Sequence, residues 1–177
     1  MTTLSRARTL GIVAALGLGA PLLTHCAVAA DKFDPNDLKA LGAALALERA
    51  ALDAYGKAVD AKTLSTPVIA VVTGFVADHT AHRDALIAAI TALGQTPGTD
   101  LAPLDTPTLQ NEADALNYAY TVERTLATTH LTAVPTFRNR DYAKTAASIL
   151  GVETTHVALL AEALRKGSAY PTSFVSM

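Results

Sequence analysis

The chain has 177 residues and a formal net charge of -2, and half of its residues are hydrophobic while only 5% are aromatic. That length is one domain, and with no basic block longer than two residues nucleic-acid binding lacks electrostatic support. The apolar character is carried by alanine and leucine, which favours helix over strand.

The first segment stands apart. Arg6 and Arg8 precede an apolar run from Leu10 to about Leu23, and the small residues Ala27, Val28, Ala29 and Ala30 follow. A charged start, an apolar middle and an A-x-A-like end read as a secretory signal cut near Ala29 or Ala30. Residues 1–30 are then a signal peptide, and residues 31–177 are an exported domain of the periplasm or cell envelope. The run is short for a stable span and no second span follows. Ala7 separates Arg6 from Arg8, so they are not a clean twin-arginine pair. The only cysteine, Cys26, is lost with this segment. The remaining 147 residues are enough to bury a core without a disulfide. The rival reading is a lipoprotein signal, Leu23-Thr24-His25-Cys26, with His25 where a small residue is expected.

Four helical stretches follow. The first, from about Asp37 to Ala61, places Leu38, Leu41, Leu45, Glu48, Leu52, Tyr55 and Val59 at alternating steps of three and four, with Pro35 and Asn36 as start signals. The second, from about Pro67 to Leu93, has the seam Val72, Phe75, His79, His82, Leu86, Ala89 and Leu93, and Gly94 ends it. The stretch Gly94–Pro107 holds three prolines and two glycines and reads as a loop. Extended, it reaches about 45 Å, more than the roughly 37 Å of a 25-residue helix. It can therefore cross the whole bundle. The third helix, from about Thr108 to Val134, has the seam Leu109, Glu112, Leu116, Ala119, Glu123, Leu126, His130 and Ala133, and Pro135 stops it. The fourth, from about Arg140 to Lys166, has the seam Tyr142, Ala146, Ile149, Glu153, His156, Leu160 and Ala163; Gly167 ends it, and an irregular tail follows.

Short turn, long crossover, short turn is the connectivity of an all-α, ferritin-like four-helix bundle. An internal repeat supports it. Glu48-Arg49 recurs as Glu123-Arg124, 75 residues on, and His79 and His82 are matched by Glu153 and His156, 74 residues on. Tyr55 and His130 each lie seven residues after their glutamate. The chain reads as two related helical hairpins.

Six polar residues interrupt the seams near mid-helix: Glu48, His79, His82, Glu123, Glu153 and His156. Burying unpaired carboxylates costs several kcal/mol each unless something compensates. A bound cation does so, and mixed carboxylate and imidazole donors suit iron, manganese or zinc. Glu153-x-x-His156 sets both side chains on one helix face. Two-metal carboxylate bundles take one glutamate from each of two helices and a Glu-x-x-His pair from each of the others. Here the second helix supplies His79-x-x-His82 instead.

The Asp78-His79-Thr80-Ala81-His82-Arg83-Asp84 run, Pro135-Thr136-Phe137, and Ala146-Ala147-Ser148-Ile149 ahead of Glu153-x-x-His156 resemble the ferritin-like superfamily, and within it exported bacterial ferritin-like proteins. The resemblance covers about residues 37–166. It implies a four-helix fold and, by analogy, a metal site that binds O₂ or peroxide. His79 departs from the pattern, which has a bridging glutamate at that position. A neutral histidine normally gives one nitrogen to one metal. One ion, two with fewer bridges, or none remain open. Asp78 is about 100° away around the helix and short.

Each residue also has a plainer reading. The six seam residues are the candidate metal ligands, against a buried hydrogen-bond network inherited from a metal-binding ancestor. Tyr55 and His130 line the interior and pack, with a hydrogen bond to a ligand or a redox-active tyrosine as the sharper alternative. Arg49 and Arg124 face away into solvent. Glu112 suits a helix first turn without any metal. Tyr118 and Tyr120 read as packing, and Asp84 and Glu162 as surface. No phosphate loop or G-x-S-x-G is present. The expected protein is an exported metal-binding bundle with one or two iron or manganese ions, zinc being a third choice, and oxidase- or peroxidase-type activity. The alternative is a non-catalytic structural or stress-related interaction module. Its partners are then metal ions, with a homodimer compatible with the pattern and no membrane span in the mature chain. A storage cage is not expected.

Overall fold

The computed structural model describes residues 33–166. The leader with Cys26, and the tail from Gly167, lie outside the described residues. Four helices make up the fold: α1 Pro35–Asp60, α2 Thr66–Ala92, α3 Glu112–Ala133 and α4 Arg140–Ala163, with a short 3₁₀ turn at Val134–Thr136. There is no strand among the described residues.

The helix ends follow local chemistry. Asp34 caps α1 by accepting the Asn36 N–H at 2.8 Å, and Pro35 takes the first turn, where its missing N–H costs nothing. The helix thus starts two residues before the expected Asp37. The start of α3 is a larger correction. It begins at Glu112 rather than Thr108, because the Asn111 side chain accepts the Asp114 N–H at 3.0 Å and caps it there. Leu109 therefore belongs to the crossover. Asn139 caps α4 through the Asp141 N–H at 2.8 Å. After α2, Gly94 takes φ 73°, a left-handed conformation that glycine adopts without strain.

The crossover lies along α1 and α3. Ala102 N–H donates to the Ala46 carbonyl at 2.9 Å. Ala102, Leu104 and Leu109 cover Leu47, Ala51, Tyr118, Val122 and Leu126. Tyr118 hydroxyl meets Thr106 Oγ1 at 3.1 Å. This face is sealed. Between α2 and α4 small residues face one another, and a groove of about 410 Å³ remains, running past Gly74, Gly151 and Thr155 with Phe75 and His156 at its base.

Two apolar layers bracket the bundle centre. One contains Leu41, Leu45, Leu86, Ile90 and Ile149. The other contains Tyr55, Val72, Phe75, Ala119 and Leu160. Two expected seam positions do not hold: Val59 is 40% exposed, and Ala163 is exposed as α4 ends. Asp37, buried in the first turn of α1, accepts the N–H groups of Arg138 and Asn139 at 2.8 and 2.9 Å. It ties the start of α1 to the turn before α4. No described helix is long and apolar enough to cross a membrane.

Candidate metal centre

Between the apolar layers sits a polar one. Glu48, His79, Glu123 and Glu153 are fully buried, and His82, His130 and His156 nearly so. The structure brings all six sequence-chosen residues together, with His130 as a seventh. Their spacing explains this: each occupies the inward stripe of its helix at mid-length.

The hairpins meet in matched pairs. Tyr55 on α1 donates its hydroxyl to Glu123 on α3, and His130 on α3 lies with Nε2 3.1 Å from Glu48 on α1. The residue seven after each glutamate thus serves the glutamate of the other hairpin, which gives the internal repeat a physical meaning. The histidines on α2 and α4 do not repeat this relation: His82 reaches Glu153 of the other hairpin, while His156 contacts Glu123 and Glu153 of its own. His82 Nδ1 lies 2.9 Å from Glu153 and 3.6 Å from Glu48. His156 Nδ1 lies 3.1 Å from Glu123 and 3.6 Å from Glu153.

The match also fails at His79 and Glu153, which stand in equivalent places. His79 uses both ring nitrogens: Nδ1 is 2.9 Å from Glu48 and Nε2 is 3.0 Å from Glu123. The Tyr55 ring stacks on it at 5.4 Å. Glu153 is the misfit. Both its oxygens are buried without an aligned donor, and the 2.9 Å approach of His82 is out of line for a hydrogen bond.

Charge follows geometry. Burial pushes Glu48 up, but bonds from His130 and His79, with His82 close by, outweigh it and hold it far below the carboxylate range. Burial likewise opposes ionisation of Glu123, and His156 and His79 reverse that, holding it low. Glu153 stays raised, by burial and by Glu123 beside it. Burial opposes charge on the histidines, yet their glutamates win: Glu123 and Glu48 push His79 up to about 10. Glu153 and Glu48 push His82 up to about 9. Glu123 and Glu153 do the same for His156, to about 9. Tyr55 is pushed well above its ordinary value by burial and Glu123.

Among the described residues, two groups offer donor atoms within 4.8 Å of one another: Glu48, His79, His82 and Glu153; and His79, Glu123, Glu153 and His156. A cation fits this set, since an orphaned buried carboxylate and convergent imidazoles are what a metal compensates. Asp78 is not in either group. Its carboxylate sits in the groove and accepts from His156 Nε2 at 3.1 Å, which turns Nδ1 of that ring inward. No spacing in the sequence announces this contact. His130 carried a signal in its correspondence with Tyr55. Arg49, expected in solvent, is half-buried with its Nε covered, while Arg124 is exposed beside the Tyr120 ring.

The sequence matches the ferritin-like domain family over residues 36–166. The chain belongs to that family. A crystal structure of a conserved hypothetical protein from Mycobacterium tuberculosis is similar, with 25% identity and a TM-score of 0.67 over 78% of this chain and 94% of that one. A ferritin-like, diiron-carboxylate protein from Bacillus anthracis str. Ames shares the fold at 22% identity and a TM-score of 0.62, over 73% of this chain and 95% of that one. A mycobacterial bacterioferritin does so at 20% identity and 0.67, over 76% and 86%. No curated protein matches the chain in sequence.

Proposed function

We propose that this ferritin-like domain is an exported metal-binding protein. It holds one or two ions of iron or manganese, with zinc as the third choice, among Glu48, His79, His82, Glu123, Glu153 and His156. The observation that carries this reading is Glu153, whose two oxygens are buried without an aligned donor. The Bacillus anthracis protein of the same fold is described as a diiron-carboxylate protein, which favours iron. A bound iron or manganese ion would supply Lewis acidity and redox chemistry toward O₂ or peroxide. The chain's own residues would bind and orient it: Asp78 fixes His156, Tyr55 fixes Glu123, and His130 fixes Glu48. The crossover keeps water from the α1–α3 side, and the α2–α4 groove admits a small oxidant.

A second reading is a non-catalytic structural or stress-related interaction module. His79 favours it, because its ring already joins Glu48 to Glu123 without a metal. Elemental analysis separates the two. The purified protein, loaded with iron, manganese or zinc and freed of excess, retains metal on the first reading and loses it in Glu153→Ala. Oxidase and peroxidase assays of loaded protein then test turnover. No retained metal under any loading leaves the second reading standing.

A further inference from the structure

The two donor groups share His79 and Glu153. Filling both at once asks each shared residue to serve two ions. Glu153 can, having two oxygens. His79 cannot do so as an ordinary ligand: a neutral imidazole has one free lone pair, and its other nitrogen carries a proton. The ring placement makes that limit concrete. Nδ1 faces Glu48 at 2.9 Å and Nε2 faces Glu123 at 3.0 Å. Whichever nitrogen takes a metal, the other is left to donate to the glutamate opposite, and that bond fixes the tautomer.

Both glutamates are matched by protein on both oxygens: Glu48 by His130 Nε2 at 3.1 Å and His79 Nδ1 at 2.9 Å, and Glu123 by the Tyr55 hydroxyl and His79 Nε2 on Oε1 and by His156 Nδ1 on Oε2. The sides differ in access. On the Glu123 side, Asp78 holds the outer nitrogen of His156 and leaves Nδ1 inward, 3.1 Å from Glu123. This side alone reaches the groove, through His156. An entry path is what a usable site needs.

Resting on the metal-binding reading above, we infer that the chain holds a single ion, in the group His79, Glu123, Glu153 and His156, and that His130 and His79 together satisfy Glu48 in place of a second ion. This family member is then a one-ion centre built on a two-ion frame. His79→Glu restores a carboxylate with two donor oxygens and opens the second place.

The test is metal stoichiometry of the purified protein, after anaerobic loading with Fe(II) or Mn(II) and removal of excess. About one ion per chain is expected in the wild type, roughly doubling in His79→Glu. Glu123→Gln and His156→Gln lose the ion. Two ions in the wild type overturn this inference and leave the metal-binding reading intact; no ion overturns both. An ion that survives Glu123→Gln but is lost in Glu48→Gln also overturns it. Should a variant fail to fold, electron paramagnetic resonance of Mn(II)-loaded wild type decides without it. An isolated Mn(II) signal is expected, and a spin-coupled pair overturns the inference.

Discussion

Asp78 meets His156 from the groove side of the bundle, its carboxylate 3.1 Å from Nε2, although 78 residues separate them. The contact makes an exposed acid part of a buried site. It fixes which nitrogen of His156 faces Glu123 and makes the ring a better donor. Asp78→Ala should therefore lower metal affinity by about 10–100-fold. Because Asp78 is 51% exposed, the fold should hold. A competition titration against a metal-binding dye measures the loss, and unchanged affinity would show that the carboxylate does not act through His156.

Metal-free protein should be most stable in mildly acidic solution. His79, His82 and His156 are raised to about 10, 9 and 9, so their contribution is full below the ordinary 6.5 and lost as pH climbs through 9 to 10. Glu48 and Glu123 are held low, so theirs is full above the ordinary 4.5 and lost as pH falls below it. Glu153, raised, offsets part of that gain. The maximum lies between 4.5 and 6.5. Bound metal takes the place of the imidazole protons and should flatten the alkaline side. Thermal melts across pH, with chelator and with metal, check this; a metal-free melting temperature still rising from pH 6.5 to 9 would contradict it.

Metal should protect the fold. At a free concentration of about 100 times Kd, binding adds about 2.7 kcal/mol. For a chain of this size that is a rise of roughly 5–10 °C in Tm. Glu153→Ala should abolish the rise. Calorimetry with and without metal gives the answer, and an equal rise in the variant would move the site elsewhere.

The tie between Asp37 and the turn before α4 is structural. Its carboxylate accepts two backbone N–H groups, from Arg138 and Asn139. Asp37→Ala should cost about 2 kcal/mol and lower Tm by about 4–8 °C. Metal stoichiometry should not change, because Glu48 lies about 16 Å further along α1. Urea denaturation and elemental analysis of the same sample report both quantities.

The groove can be filled without disturbing the core. A Cβ at Gly151 would meet nothing within 4 Å. Gly151→Leu should leave stability unchanged or raise it by about 1 kcal/mol, since glycine is a poor helix former. It should also slow the reaction of loaded protein with peroxide several-fold while leaving bound metal unchanged. Stopped-flow mixing tests access, and an unaltered rate would mean the oxidant enters elsewhere.

The order of residues was enough to set out the four helices, the long crossover and the inward stripe carrying Glu48, His79, His82, Glu123, Glu153 and His156. Helical periodicity is local: a step of three or four residues decides which face a side chain occupies whatever lies across from it. Boundaries are less legible where a side-chain cap decides them, as Asn111 does for α3. Tertiary structure alone decided what each polar group meets. That His130 serves Glu48, that Asp78 reaches His156, and that Asp37 clamps a turn 101 residues away depend on which helix faces which and at what height. The division of His79 between two glutamates depends on the rotation of one ring, which no spacing along the chain encodes.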